Sequence, residues 1–197
     1  MDIKEWENSF HGPSGVTRIH QIWSQIQSRS YLDNPLFYEY LCVCIFLAIS
    51  EHVKISYNLK LNDDFEPKSV APSGKPDIVV EFDNFFLVIE ATLRPIDGKV
   101  DHFSHLKLID SINNVMGLLV VPDIQKVDDQ VWNTYKAYFN HDKKSFFICD
   151  VRFLLSILES DSVGGLENFL KYSEQIWKSR NSWKEVKTLI TKFTTKN

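Results

Sequence analysis

The fold of this 197-residue chain turns on Ser73–Arg94, SGKPDIVVEFDNFFLVIEATLR. Ile78–Phe82 and Phe85–Ala91 are rich in Val, Ile and Phe, and Asp83-Asn84 supplies a turn between them, which predicts a β-hairpin. Both runs are apolar at nearly every position, the pattern of strands covered on both faces in an α/β domain. Three acids interrupt the pattern: Asp77 at the mouth of the first strand, Glu81 within it, and Glu90 near the end of the second. Strand side chains alternate, so Glu90 and Thr92 share a face and Ala91 points the other way. Folding at Asp83-Asn84 returns Asp77 to the side of Glu90-Ala91-Thr92, because each lies a similar number of residues from the turn. Two carboxylates at the end of a buried sheet are costly when uncompensated, and a hard divalent cation would neutralise both.

Pro76-Asp77 followed by Glu90-x-Thr92 resembles the PD-(D/E)XK nuclease motif. The last position of that motif is normally Lys. With Thr92 in its place, the stretch is similar to the AlwI-type cleavage domains of type IIS restriction and nicking endonucleases, where E-x-T or E-x-S replaces (D/E)-x-K. That group carries a His on the helix after the motif, and Val100–Leu106 (VDHFSHL) occupies the matching place. His102 or His105 would orient the attacking water or steady a phosphate there, and position in the family pattern favours His105. The other reading of both is a surface or half-buried histidine. Family members often carry a Glu early in the first core helix, as in Phe37-Tyr38-Glu39. Glu39 also reads simply as a favourable acid in a first helical turn.

The resemblance runs in element order from Pro35 to Leu158. It implies an α/β restriction-endonuclease-like core, with a central mixed β-sheet flanked by helices and extra helices at both termini. Residues 1–160 would form the catalytic core with its N-terminal helix, and 161–197 a C-terminal helical extension of the same domain. The implied activity is metal-dependent endodeoxyribonuclease hydrolysis of DNA, one active site cutting one strand. Asp77, Glu90 and the Ala91 carbonyl would hold Mg²⁺, or Mn²⁺ in its place. Thr92, His105 and Glu39 would complete the catalytic set, with Lys75 and Lys107 as further sources of positive charge. The alternative is a catalytically inactive, nuclease-like interaction subunit of a DNA-processing complex, with Thr92 as the mark of decay.

Hydrophobic residues make up 44% of the chain and aromatics 13%, which excludes a disordered polypeptide. Cys42, Cys44 and Cys149 match neither a disulfide framework nor a tetrahedral zinc site, and packed free thiols imply a reducing compartment. Leu41–Ile49 is too short to span a bilayer and the N-terminus lacks an apolar signal region, so a soluble, cytoplasmic protein with no membrane partner is expected. The resemblance adds a prokaryotic source. The net charge of -4 argues against an independent DNA binder, because phosphate neutralisation supplies most non-specific affinity. The nearest basic surface is the run Lys178, Arg180, Lys184, Lys187, Lys192 and Lys196, which also reads as a solvated helix face. Double-stranded DNA would then be held with the help of a sequence-recognising large subunit or domain, in a heterodimer.

In chain order, Met1–His11 shows no period and reads as an arm, and Gly12-Pro13-Ser14-Gly15 as a breaker before a helix over Val16–Arg29. Asp33-Asn34-Pro35 signals the start of a core helix, Leu36–Glu51. Val53–Leu61 alternates as a first strand, and Asn62–Ser73 reads as a polar loop near the catalytic end. After the hairpin come a loop at Arg94–Gly98, a helix at Lys99–Asn114, a strand at Gly117–Pro122 and a helix at Val127–Phe139. Ser145–Cys149 is a strand, and Asp150 caps a helix over Val151–Glu159. Gly164-Gly165 breaks the chain before helices at Leu166–Lys178 and Trp183–Phe193. P-loop, dinucleotide-loop, G-x-S-x-G and HExxH patterns are absent.

Overall fold

A computed structural model describes residues 2–28, 34–49, 53–93, 115–141, 145–160, 166, 168–171, 173 and 182–194. The elements are α1 (Ile3–Asn8), α2 (Gly12–Ser28), α3 (Pro35–Ile49), β1 (Lys54–Tyr57), β2 (Lys60–Leu61), β3 (Pro67–Ser69), β4 (Ile78–Glu81) and β5 (Phe86–Ala91). After these come β6 (Val115–Val121), a 3-10 turn (Ile124–Lys126), α4 (Asp129–His141), β7 (Ser145–Asp150), α5 (Val151–Ser160) and α6 (Trp183–Thr194). Five strands make a mixed sheet in the order β1-β4-β5-β6-β7, antiparallel on the β1-β4-β5 side and parallel from β5 to β7. This is the expected α/β architecture, a central mixed sheet flanked by helices.

Burial sorts the strands by their place in the sheet. β6, in the parallel half, is buried at all seven positions. β4 lies next to the edge strand and alternates instead: Ile78 and Val80 are fully buried, while Val79 and Glu81 are only half-buried. The expectation that β4 is covered on both faces is therefore corrected. Glu81, the third acid of the hairpin, is not part of the candidate site: its carboxylate meets Lys54 Nζ at 2.6 Å on the exposed edge. α3 starts as its sequence signals, with Asn34 Oδ1 accepting the Leu36 N–H at 3.0 Å, and every residue from Tyr38 to Ile49 is buried. Cys42, Cys44 and Cys149 are buried free thiols.

The stretch from Val53 to Ser73 departs from the sequence expectation. The alternating run Val53–Leu61 is not one strand but breaks at Asn58. There the Asn58 N–H donates to the Asp77 carbonyl at 3.1 Å and Nδ2 to the Pro76 carbonyl at 2.7 Å. Past that point the chain leaves the main sheet, and β2 pairs with β3 in a separate two-stranded sheet. The polar loop Asn62–Ser73 thus contains a strand and a tight turn. Asn62 Oδ1 organises the turn by accepting the Asp64 and Glu66 N–H groups at 3.0 and 2.9 Å. Phe65 sits at φ 60, a costly conformation for a bulky residue, and its ring stacks on Trp6 at 5.9 Å.

The N-terminus is not an arm. Asp2 and Glu5 form a capping box, each carboxylate accepting the other residue's backbone N–H at 2.8 Å, and Trp6 and Phe10 are fully buried. Gly12-Pro13-Ser14-Gly15 is the first turn of α2 rather than a breaker, a position that tolerates Pro. Gly15 backs onto the preceding turn so closely that a Cβ there would lie 1.8 Å from the Phe10 carbonyl oxygen.

At the other end, α6 packs on the core. Trp183 stacks on Trp132 of α4 at 4.9 Å and donates from Nε1 to the Val127 carbonyl at 2.7 Å, while Val186 and Ile190 are buried. Asp150 caps α5 as expected, its Oδ1 accepting the Phe153 N–H at 3.0 Å. Positions 166, 168–171 and 173 are helical. Arg94–Gly98, Lys99–Asn114 with Asp101, His102, His105 and Lys107, and Gly164-Gly165 lie outside the described residues. Among the described residues no helix is long and apolar enough to cross a membrane.

Because Trp6 is wholly buried, Trp6→Ala should cost about 3–5 kcal/mol in urea unfolding, the usual range for deleting a large aromatic from a core. An unchanged urea midpoint would mean that α1 is an appended arm after all.

Candidate active site

The β4–β5 register builds the site. Ile78 pairs with Ile89, so one step beyond the ladder Asp77 stands opposite Glu90, on the same sheet face. The hairpin is closed at its far end by the Phe82 N–H donating to the Phe85 carbonyl at 3.0 Å. Asp77 is held from two sides. Its carbonyl accepts from Asn58, and its Oδ2 accepts the Ala91 N–H at 2.8 Å. Thr92 continues β5 by one residue, donating its N–H to the Val120 carbonyl at 3.0 Å, which keeps its side chain on the face of Glu90. Glu39 reaches the same neighbourhood from α3, and both its oxygens lie on the Ala71 N–H, at 3.0 Å for Oε1 and 3.3 Å for Oε2.

Relative exposures of 4% for Glu39, 9% for Asp77, 8% for Glu90 and 9% for Thr92 put all four inside the protein. Burying three acids together makes their ionisation costly. Burial first, and then the charges of Asp77 and Glu39, push Glu90 up to about 9 against the pull of the Asp77 N–H. Burial raises Asp77 to about 6, opposed by the Ala91 N–H. Burial and the Asp77 charge raise Glu39 to about 8, opposed by the Ala71 N–H. Cys42, one turn along α3 from Glu39, is pushed well up by burial, with the Asp77 and Glu39 charges adding to it, so α3 lies against the pair.

Hard carboxylate oxygens suit Mg²⁺, which is commonly bound by one or two carboxylates with water completing the octahedron. The donor set fits that pattern. Among the described residues no group of three or more His, Cys, Asp or Glu is placed to hold a metal, so an ion would rest on Asp77, Glu90 and a carbonyl such as that of Ala91. A cavity of about 420 Å³ beside Arg18, Ile22, Phe37, Tyr40 and Phe65 includes none of these residues.

Residues 24–102 match the family model described as AlwI restriction endonuclease. The chain is also similar to the crystal structure of the small subunit (R.BspD6I2) of the heterodimeric restriction endonuclease R.BspD6I. The TM-score is 0.64 at 19% identity, covering 82% of this chain and 90% of that one. The fold is that of a restriction-endonuclease-like protein. No curated protein matches the sequence. The AlwI match spans Glu39, Asp77, Glu90 and Thr92 and stops before His105.

The structure therefore brings together four of the expected residues, Glu39, Asp77, Glu90 and Thr92, with Ala91 between two of them. His105 lies outside the described residues. Sequence reasoning missed Asn58 and Ala71. Asn58 falls in the polar phase of the alternation, between Ser56 and Lys60, so the pattern does not mark it. Ala71 is not marked either, because a backbone N–H leaves no mark in residue type.

The three carboxyls have folded pKa values above their unfolded ones. Their stabilising contribution is therefore complete below about pH 4 and is lost as the pH rises through about 6, 8 and 9. In chelator, the thermal midpoint of the wild type should fall between pH 5 and 9, and Glu90→Gln should flatten that fall and match or exceed the wild type at pH 8. A wild-type midpoint that climbs across this range, with Glu90→Gln below it, would contradict the burial of the pair.

Proposed function

We propose that this chain is a metal-dependent endodeoxyribonuclease, the cleavage subunit or domain of a type IIS-like restriction enzyme, with one active site that cuts one DNA strand. The observation carrying this reading is the hairpin register that sets Asp77 opposite Glu90, with Thr92 two residues on and on the same face. The AlwI match over the same residues supports it. In this reading Asp77, Glu90 and the Ala91 carbonyl hold Mg²⁺, or Mn²⁺ in substitution. When bound, such an ion polarises the scissile phosphate and lowers the pKa of a water.

The chain's own side chains divide the remaining work. Thr92 is neutral and cannot balance developing charge, but its hydroxyl both donates and accepts and can orient the attacking water. Positive charge must come from elsewhere. Lys75, exposed two residues before Asp77, is one source, and His105 and Lys107 are the others that the family pattern offers. Ala91 N–H on Asp77 fixes one carboxylate oxygen, which orients the other without a further side chain.

The partners follow from charge. A net charge of -4 releases few counterions on DNA, so affinity for duplex alone is weak and a sequence-reading large subunit supplies the rest. The R.BspD6I small subunit works in a heterodimer, and a similar arrangement in a prokaryotic cytoplasm is proposed here. The alternative, a nuclease-like subunit that has lost catalysis, draws on Thr92 standing where Lys is usual.

With the reading partner and Mg²⁺ present, Asp77→Asn and Glu90→Gln should each abolish conversion of supercoiled to nicked plasmid. Full nicking in both would end the nuclease assignment for this site. Thr92→Val, nearly the same shape without the hydroxyl, should slow cleavage by about 10- to 1000-fold, the usual range for one polar catalytic contact. Wild-type speed in Thr92→Val would reduce the threonine to a strand filler, and no cleavage by the wild type would favour the inactive subunit.

A further inference from the structure

The segment between β3 and β4, residues 70–76, has no strand partner but is tied at both ends. At its far end the Pro76 carbonyl accepts from Asn58 Nδ2 at 2.7 Å. Its middle is a tight turn closed by the Lys75 N–H on the Pro72 carbonyl at 3.2 Å, with Gly74 at φ 86 where a side chain would be strained. At its near end the tie is the Ala71 N–H on the buried Glu39 carboxylate. Glu39 is the one carboxyl in the run Tyr38–Ile49 of α3, all of it buried, so it needs a donor where it sits, and that donor comes from this segment. Val70, Pro72, Ser73, Gly74 and Lys75 face solvent beside the acidic pair, Val70 with 43% of its surface exposed.

We propose that Glu39 is a positioning residue that latches the 70–76 segment onto the core beside Asp77 and Glu90, and that this latch sets where the segment's exposed side chains meet the DNA. The second half rests on the nuclease reading, whereas the latch stands without it. The role needs only an acceptor oxygen, which Gln supplies as well as Glu. A metal ligand would need the carboxylate itself.

The test measures amide hydrogen exchange at Ala71 and Lys75, the hydrogen-bonded amides of the segment, in metal-free protein, together with calorimetric Mn²⁺ affinity. Glu39→Ala should speed exchange at these amides on the order of 10-fold, the loss of one hydrogen bond to a buried acceptor, while β6 amides stay protected. Glu39→Gln should restore both exchange and Mn²⁺ affinity to within about threefold of wild type, since the acceptor remains. Ala71→Pro deletes the donor with Glu39 intact and should speed Lys75 exchange to the same degree, which keeps the test decisive if Glu39→Ala folds poorly. In cleavage assays Glu39→Ala should raise KM for duplex several-fold and Glu39→Gln should restore it. Unchanged exchange in Glu39→Ala and in Ala71→Pro would overturn the latch. A Glu39→Gln variant that loses Mn²⁺ as fully as Glu39→Ala would also overturn it, by making Glu39 a ligand. Exchange needs neither DNA nor metal, so failure of the latch and failure of the nuclease reading give different results.

Discussion

The site depends on one cross-strand arrangement, Asp77 opposite Glu90 with the Ala91 N–H donated to Asp77 Oδ2 at 2.8 Å. Register in a half-buried hairpin is set by which side chains must be inside, and a slip of one residue would turn each to the opposite face. Here Ile78 and Val80 are fully buried on one face of β4, and that forces Asp77, Val79 and Glu81 onto the other. The apolar residues thus position the acidic ones. Asn58 reinforces the arrangement from the edge strand by holding the backbone on either side of the Pro76-Asp77 bond.

Gathering acids inside an acidic protein works against stability, and the surroundings show how the fold tolerates it. Backbone N–H groups from Ala71, Asp77 and Ala91 lower the three carboxyls a little, while burial raises them much more. The balance leaves protons on the cluster near neutral pH, a state suited to exchanging protons for a cation. α3 also contributes, because its apolar surface seals the site from one side and its single carboxylate ties down a segment that has no strand to hold it.

Much of this was legible in sequence, for identifiable reasons. The hairpin, the core helix after Asn34-Pro35 and the Asp150 cap follow from apolar runs, turn residues and capping chemistry, all local. The resemblance added Glu39 and Thr92, which no period or spacing singles out. What failed was non-local or weakly patterned. Val53–Leu61 has a strand's alternation, yet Asn58 bonds across to Pro76 and Asp77 and ends β1 there. Met1–His11 is too short for a visible helical period, although Asp2 and Glu5 three residues apart were a readable capping box. The strand within Asn62–Ser73 has only three residues, including Pro67, and no propensity argument would have found it.

Whether the hairpin pair takes a divalent cation is read by calorimetric Mn²⁺ titration at pH 7 in two buffers of different ionisation enthalpy. Because Glu90 is raised to about 9, it enters the reaction protonated and must lose its proton to become a ligand. Binding should release roughly one proton per ion, and Asp77→Asn should lose both binding and release. Binding without proton release, or binding that survives intact in Asp77→Asn, would contradict a cation site on the pair.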